Sequence, residues 1–407
     1  MKFALSPYFY GMNLIVFDDP TLVEELYPFT LTRPVGELRV GILTLTEKWE
    51  NYLGAKASFL TRDYLSVKFP LQAQPDNLLV NGAVCATPAL AAAARALKEN
   101  QALVKTGIVI AARSHKAQVP AGDFDAMEYP GEILCIDQVW KIFFHNGAAI
   151  RSDFELVTKN SLSGTIDDPH TIVYGEKIFL AEGASVKAAI LNAEGGPIYL
   201  GRNAQVQEGA IIRGPFALGE GAQVNMGAKV RGDTTLGPYC KVGGEVSNSV
   251  IFGYSNKSHD GFLGNSVVGE WCNLGADTNT SNLKNNYENV KIWNYARGGF
   301  KDTGLQFCGL MMGDHSKCGI NTMFNTGTVV GVGSNLFGDG FPRTFIPSFA
   351  WGGAAGFTTF QLQKMLETAT RVMQRRGITM NDNDKAILQR VFTMTRQNRV
   401  WEKTDTA

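Results

Sequence analysis

From Ile198 to Gly243 an aliphatic side chain returns at every sixth position: Leu200, Val206, Ile212, Leu218, Val224, Val230, Leu236 and Val242. Two places before each stands a residue that is often small, as at Ala204, Ala210, Ala222, Ala228, Thr234 and Cys240, with Ile198 and Phe216 as bulky exceptions. A period of six fits neither an amphipathic helix nor a plain alternating strand, so the repeating unit is a short strand plus a turn. Stacked units of that kind form a parallel β-helix, in which the aliphatic points into a prism and glycine or a polar residue turns the corner.

The same spacing begins more weakly with Tyr174, Leu180 and Val186, which places the start of the coil near residue 165. After Val242 the register slips by two and resumes at Val250, Asn256, Phe262, Val268 and Leu274. A polar insertion, about Thr278 to Phe307, then interrupts it before Met312, Cys318, Phe324, Val330 and Leu336 restore the period. An insertion that lets the coil resume must leave from a corner, and Tyr287, Trp293, Tyr295 and Phe300 give this one enough aromatic surface for burial. Beyond Trp351-Gly352-Gly353, the segments Thr358–Arg376 and Asp382–Arg399 read as two amphipathic helices.

The first third changes period. Strand candidates at Asn13–Phe17, Ser58–Thr61, Leu78–Val80, Ile108–Ala112 and Glu132–Ile136 alternate with helical stretches. One helix opens on the capping box Thr44 to Glu47; another opens on Thr87-Pro88 and runs through alanines to about Asn100. Gln138–Asn146 also reads as helix. Strands alternating with helices predict a mostly parallel sheet covered on both faces, with ligands at the carboxyl ends of its strands, after Phe17 and after Val80. The expected domains are 1–156, an α/β domain; 157–352, the β-helix; and 353–407, C-terminal helices.

Composition narrows the partners. Lys plus Arg and Asp plus Glu are 38 each, so there is no bulk electrostatic case for nucleic acid or an anionic membrane, and small molecules are the expected partners. Six cysteines carry no C-x-x-C spacing, which fits reduced thiols in a cytoplasmic protein better than a zinc cluster or a disulfide framework. No apolar run reaches the roughly 20 residues a membrane span needs. Met1–Gly11 makes a poor signal peptide, and Met12 is an equally good start.

Tyr27-Pro28-Phe29-Thr30-Leu31-Thr32-Arg33-Pro34 is similar to the Pro-Leu-Thr-x-Thr-Arg-Pro stretch of sugar-1-phosphate nucleotidyltransferases, and Leu79-Val80-Asn81-Gly82 resembles the strand end that carries their metal-binding Asp. Two parts differ: Phe17-Asp18-Asp19-Pro20 stands where those enzymes have a glycine-rich phosphate loop, and Ala83 stands where they have that Asp. With the coil and the helical tail, the chain resembles bifunctional N-acetylglucosamine-1-phosphate uridyltransferase/glucosamine-1-phosphate acetyltransferases, in a branch with an atypical N-terminal half that Ala149–Phe154 also suggests. The resemblance implies a Rossmann-like nucleotidyltransferase fold before a left-handed β-helix, acetyl-coenzyme A as acyl donor, Mg2+ in the first domain, a sugar phosphate and a nucleotide as ligands, and a homotrimer. No metal ligand is assigned. The implied activity is sugar-phosphate N-acetyl transfer, with or without nucleotidyl transfer; a nucleotidyltransferase alone, or a non-catalytic sugar-nucleotide sensor or scaffold, is the alternative.

Residue by residue, Asn256–Gly264 resembles the family segment whose His is the general base, which points to His259. Lys257 is expected to hold a phosphate. Asn273 and Asn282 are expected to contact the sugar, Gly275 and Ala276 the coenzyme, and Arg33, Asn81 and Gly82 the nucleotide half, with Arg39 a further phosphate contact. Phe262 and Leu283 stand where the family has tyrosines. His315, in Gly-Asp-His-Ser, is the rival base. A zinc hydrolyase on the same coil would need three gathered histidines, and the two nearest in sequence, His145 and His170, are 25 residues apart.

Overall fold

A computed structural model describes residues 12–118 and 124–405; the alternative start and the Met1–Gly11 run lie outside them. The chain divides into two compact units. One holds the residues up to Leu26, Thr32–Leu38 and Leu43–Gln138; the other holds Tyr27–Leu31, Arg39–Ile42 and everything from Val139.

In the first unit six strands form one sheet: β1 (Asn13–Phe17), β2 (Ala57–Leu60), β3 (Asn77–Asn81), β4 (Gln101–Lys105), β5 (Ile108–Ser114) and β6 (Asp125–Glu128), in the order β2-β1-β3-β5-β4-β6. β1 lies parallel to β2 and β3, but β3 and β4 both run antiparallel to β5, so the sheet is mixed rather than mostly parallel. The expected strand at Glu132–Ile136 is a single bridge from Cys135 to Val84. β4 and β6 carry no apolar alternation, and every residue of β6 is exposed, which is why hydrophobic spacing misses them. The capping box at Thr44 and Glu47 forms, starting the helix Leu45–Leu53. Thr87 caps the helix Pro88–Arg95.

The second unit is the β-helix. Three sheets of short parallel strands make its faces: the first runs through Ile190–Asn192, Ile211–Arg213, Lys229–Val230, Glu245–Ser247 and Phe262–Gly264; the second through Ile198–Leu200, Phe216–Leu218, Thr234–Leu236, Val250–Gly253, Val267–Glu270 and Met311–Met312; the third through Gln205–Val206, Gln223–Val224, Lys241–Val242, Asn256–Lys257, Asn273–Leu274 and Lys317–Cys318. Ile198 faces Phe216 and Phe216 faces Thr234, one turn of the coil being three six-residue units. The predicted aliphatics and small residues fill the lumen, each fully buried or nearly so. Full burial of each aliphatic stabilises by roughly 1.5–3 kcal/mol, so the repeat is the core.

Past Val242 the inward positions differ from the expected ones. Val230 faces Val246, Leu236 faces Ile251 and Val242 faces Lys257, so this turn is two to three residues shorter. The lumen therefore takes Val246, Ile251, Lys257 and Leu263, while Asn256 and Phe262 turn partly outward. A lysine at an inward position is what an aliphatic count passes over.

The insertion leaves after the strand Asn279–Thr280 and contains a hairpin, Lys291–Asn294 with Gly299–Asp302. Trp293 stacks on Phe345 at 4.2 Å, and Tyr295 meets both Phe345 and Tyr27 edge-on. Much of the insertion's aromatic surface is thus buried within its own chain, leaving Tyr287, Phe300 and Phe307 exposed. The helix Asn146–Thr158 spans the boundary expected after residue 156, and Asn146 anchors it to the coil through Asp233 O and Thr235 Oγ1. At the other end come the helices Leu362–Gln374 and Asp382–Met394, and the fully buried Arg399 stacks on Phe392 and pairs with Glu402 at 2.7 Å. No helix among the described residues is long and apolar enough to cross a membrane.

Candidate functional site

The residues expected to form a site lie in both units. In the first, β1 is followed directly by Asp18, which is 6% exposed. Its Oδ1 accepts from the Val35 N–H at 2.7 Å, its Oδ2 accepts from Thr61 Oγ1 at 2.5 Å, and Arg62 stands 3.7 Å from Oδ2. Burial raises the Asp18 pKa above the ordinary 3.8, against the opposing pull of Arg62, Thr61 and the Val35 N–H. A carboxylate thus occupies backbone and guanidinium donors of the kind that would otherwise receive a phosphate.

The strand end opposite is equally filled. Asn81 is buried, accepts from the Ala83 N–H and donates to Val109 O, both at 2.9 Å, so its amide shapes the turn. Gly82 lies so close to the Gly36 backbone that a Cβ on it would come within 2.8 Å of the Gly36 nitrogen. Ala83, where the resemblance expects a metal-binding Asp, is 0% exposed. Arg33 is buried and its carbonyl accepts from Arg62. Among the described residues no three His, Cys, Asp or Glu side chains gather to hold a metal. The donors present do not fit the Mg2+ that the resemblance implies, and no step is derived through it. Part of the Tyr27–Pro34 motif is spent on packing, since Phe29 lies 5.3 Å from Phe252 within the second unit. Arg39, also there, donates to Ile42 O.

In the second unit the site lies at the corner between the third and first sheets. Asn256–Lys257 ends one face and Phe262–Gly264 begins the next, with Ser258 to Gly261 between. His259 is exposed there and lines a groove of about 540 Å3 together with Met226, Gly243, Asp260, Ala276 and Asp277. The corner tolerates no bulk: a Cβ on Gly243 would reach within 2.3 Å of Ser258 O, and one on Gly261, at φ +109°, within 2.2 Å of Thr278 O. Beneath it Lys257 is 2% exposed. Its Nζ donates to Gly243 O at 3.2 Å, His259 O at 2.7 Å and Asp260 O at 3.3 Å. The expected phosphate contact is therefore corrected: an ammonium needs three acceptors, and these three are backbone carbonyls.

The other expected residues spread around that corner. Ala276 lines the groove, whereas Gly275 is held by close approach, since its Cβ would meet Gly319 at 2.4 Å. Asn273 is exposed on the third face beside Asn256. Asn282 lies on the first-face side, donating to Asn265 Oδ1 at 2.8 Å, with its amide and the Phe262 ring both crowding Gly264. The rival base is elsewhere. His315 sits at the corner between the second and third sheets, ending a column of stacked rings: Tyr239 on Tyr254 at 5.3 Å, Tyr254 on Trp271 at 4.2 Å, Trp271 on His315 at 6.3 Å. All four have φ between +53° and +62°, so the imidazole belongs to a corner that stacking holds in the left-handed region. Sequence spacing did not reveal Asp260 and Asp277 as groove residues; only the column of corners does.

Residues 14–161 match the model of a sugar nucleotidyl transferase family. The chain is 34% identical over 93 residues to the bifunctional protein GlmU of Methanocaldococcus jannaschii, covering 23% of this chain and 22% of that one. Over 93 residues it is also 31% identical to the bifunctional sugar-1-phosphate nucleotidylyltransferase/acetyltransferase of Sulfurisphaera tokodaii, covering 23% of each. The matches thus span about a quarter of the length of these curated relatives. Among solved structures, the Arabidopsis UDP-N-acetylglucosamine acyltransferase aligns with a TM-score of 0.26 at 15% identity, over 60% of this chain and 85% of that one.

Proposed function

We propose that the protein is a group-transfer enzyme of nucleotide-sugar synthesis, whose second unit moves an acetyl group from acetyl-coenzyme A to the amine of a sugar phosphate. The observation that carries this reading is the exposed imidazole of His259 in a groove whose backbone is fixed by close packing. An amino sugar is mostly protonated at neutral pH and attacks only after losing a proton, and an imidazole is a suited acceptor. The carboxylates of Asp260 and Asp277 on the same groove favour an incoming ammonium. In the reaction His259 takes the ammonium proton, the freed amine nitrogen forms a bond to the thioester carbonyl carbon and sheds a second proton as the carbon–sulfur bond breaks, and the departing thiolate takes that second proton to leave as coenzyme A. Asn273 and Asn282, on the faces either side of the corner, are suited to neutral hydrogen bonds to the sugar. The Gly275–Ala276 turn is the assigned coenzyme contact.

For the first unit the reading is sugar-nucleotide binding with little or no nucleotidyl transfer, because Asp18 fills the anion cradle and Ala83 removes a metal ligand. The assembly is a homotrimer in the cytoplasm, with the exposed Tyr287, Phe300 and Phe307 of the insertion as its contact surface. Acetyl-coenzyme A turnover with a panel of amino-sugar phosphates tests the main reading; release of free coenzyme A that is independent of every amine, or no turnover at all, removes it. Light scattering of a stable monomer at micromolar concentration removes the trimer. Pyrophosphate release from UTP or dTTP with a sugar-1-phosphate at an ordinary enzymic rate, about 1 per second or faster, removes the account of the first unit.

A further inference from the structure

Along the third sheet one inward column reads Val206, Val224, Val242, Lys257, Leu274, Cys318, Leu336. Leu274 follows Lys257 in the column through the pairing of the preceding residues Asn256 and Asn273. Burying an ammonium among aliphatics costs several kcal/mol unless its donors are met. They are met here by three carbonyls drawn from two successive turns of the same corner: Gly243 from one, His259 and Asp260 from the next. The strongest of the three bonds, at 2.7 Å, goes to the carbonyl of His259 itself. A Leu or Met would fill the lumen equally well. What a lysine adds is a tether on the backbone of the one exposed histidine that lines the groove.

We propose that Lys257 is a positioning residue for the reaction at His259: its ammonium, sealed in the lumen, ties the His259–Asp260 turn to the Gly243 turn and so fixes the direction in which the imidazole enters the groove. The proposal rests on the reading of His259 as the base, and it adds a consequence that reading lacks. Burial brings the Lys257 pKa down to about 8, against the opposing charges of Asp260 on its own turn and Asp277 on the next, with the Cys318 thiol, itself pushed up by burial, on the one after. Above that pH the neutral amine has only two protons for three carbonyls, and the tether slackens.

The test uses the full chain and two readouts. In the wild type, the His259 ring Hε1 resonance, assigned by its loss in His259→Ala, is followed by NMR from pH 7 to 9.5; an inflection near pH 8 is expected. Lys257→Met, folded by circular dichroism and with the same assembly, is expected to lack that inflection, to show a displaced Hε1 resonance at pH 7, and to lower kcat by on the order of 10- to 100-fold with KM within about twofold, as misplacement of a catalytic group does. Lys257→Leu, matching Leu274 in the column, gives the same comparison if the Met variant does not fold. A wild type without the inflection overturns the proposal. So does a folded variant whose resonance and kcat both match the wild type, since Lys257 would then only fill space. The resonance is read without substrate, so a wild type that fails to acetylate any amino sugar overturns the base reading alone.

Discussion

Asp18 and Lys257 are both ionisable groups buried at the end of a strand, and the two units have used them in opposite ways. Asp18 is matched by a guanidinium, a hydroxyl and an N–H, so its charge is answered and the space around it is closed. Lys257 is matched by backbone carbonyls alone, those of the corner over it, and the outer surface of that corner stays open as a groove. Burial pushes each group toward its neutral form, raising the acid and lowering the base. The difference teaches where chemistry remains: a buried charge that consumes the donors of a site ends that site's use for anions, whereas one that consumes only backbone leaves neighbouring side chains free to react.

The comparison breaks most directly at the open corner. His259→Ala is expected to leave folding and assembly intact and to lower acetyl transfer by about 10²- to 10⁴-fold, measured as coenzyme A release with a saturating amino-sugar phosphate. An unchanged rate would mean that the groove is not where the proton goes. At the closed end, Ala83→Asp puts the carboxylate that the resemblance expects into a position that is 0% exposed. With no partner built for it, the cost is about 3–5 kcal/mol, read as a lower urea midpoint of the first unit's transition. A variant as stable as the wild type and newly able to bind Mg2+ would show that strand end to be open after all.

Asp18 itself sharpens the contrast through a pair of substitutions. Asp18→Ala leaves the Val35 N–H without its acceptor and is expected to cost about 1–3 kcal/mol. Asp18→Asn keeps that acceptor and resembles the protonated acid, so it costs less. The sign follows from linkage: a carboxyl whose folded pKa lies above the ordinary 3.8 lends stability that is complete below 3.8 and is lost as pH rises through the folded value. The wild type therefore loses stability over that window and Asp18→Asn does not. Parallel pH–stability curves for the two proteins would remove Asp18 as the titrating group.

How far the sequence carried these conclusions differs between the two regions for a physical reason. The coil is legible because its contacts are local and periodic: each lumen residue repeats at six, and Val206, Val224 and Val242 stack at fixed intervals. It fails where the turn after Val242 shortens and a lysine replaces an aliphatic, shifting the inward positions from Asn256 and Phe262 to Lys257 and Leu263, and at the start of the coil, where Val173 rather than the exposed Tyr174 pairs with the lumen residue Leu191. The cluster around Asp18 is illegible for the opposite reason. Its partners Val35, Thr61 and Arg62 lie 17, 43 and 44 residues away, and no spacing rule joins them. His259 was found through its motif, but its neighbours Asp277 and Gly243 come from adjacent turns, which only the folded corner brings together.

The smallest expected effect concerns the second histidine. His315 and His259 both sit at corners of the coil, but His315 closes a stack of rings, lying nearly parallel to Trp271 at an interplanar angle of 11°. Its backbone is at φ +60°, a conformation a non-glycine residue adopts at a cost, which the stack with Trp271 offsets. His315→Ala keeps the strained φ and loses the ring contact, worth about 0.5–1.5 kcal/mol, so the thermal midpoint should fall slightly while acetyl transfer per folded molecule stays at the wild-type level. His315→Gly separates the two contributions, because glycine relieves the backbone strain while still lacking the ring, and it should recover part of the lost stability. If instead His315→Ala abolished turnover at an unchanged midpoint, the imidazole on the stacked corner would be the base, and the groove at His259 would be a structural consequence of the shortened turn.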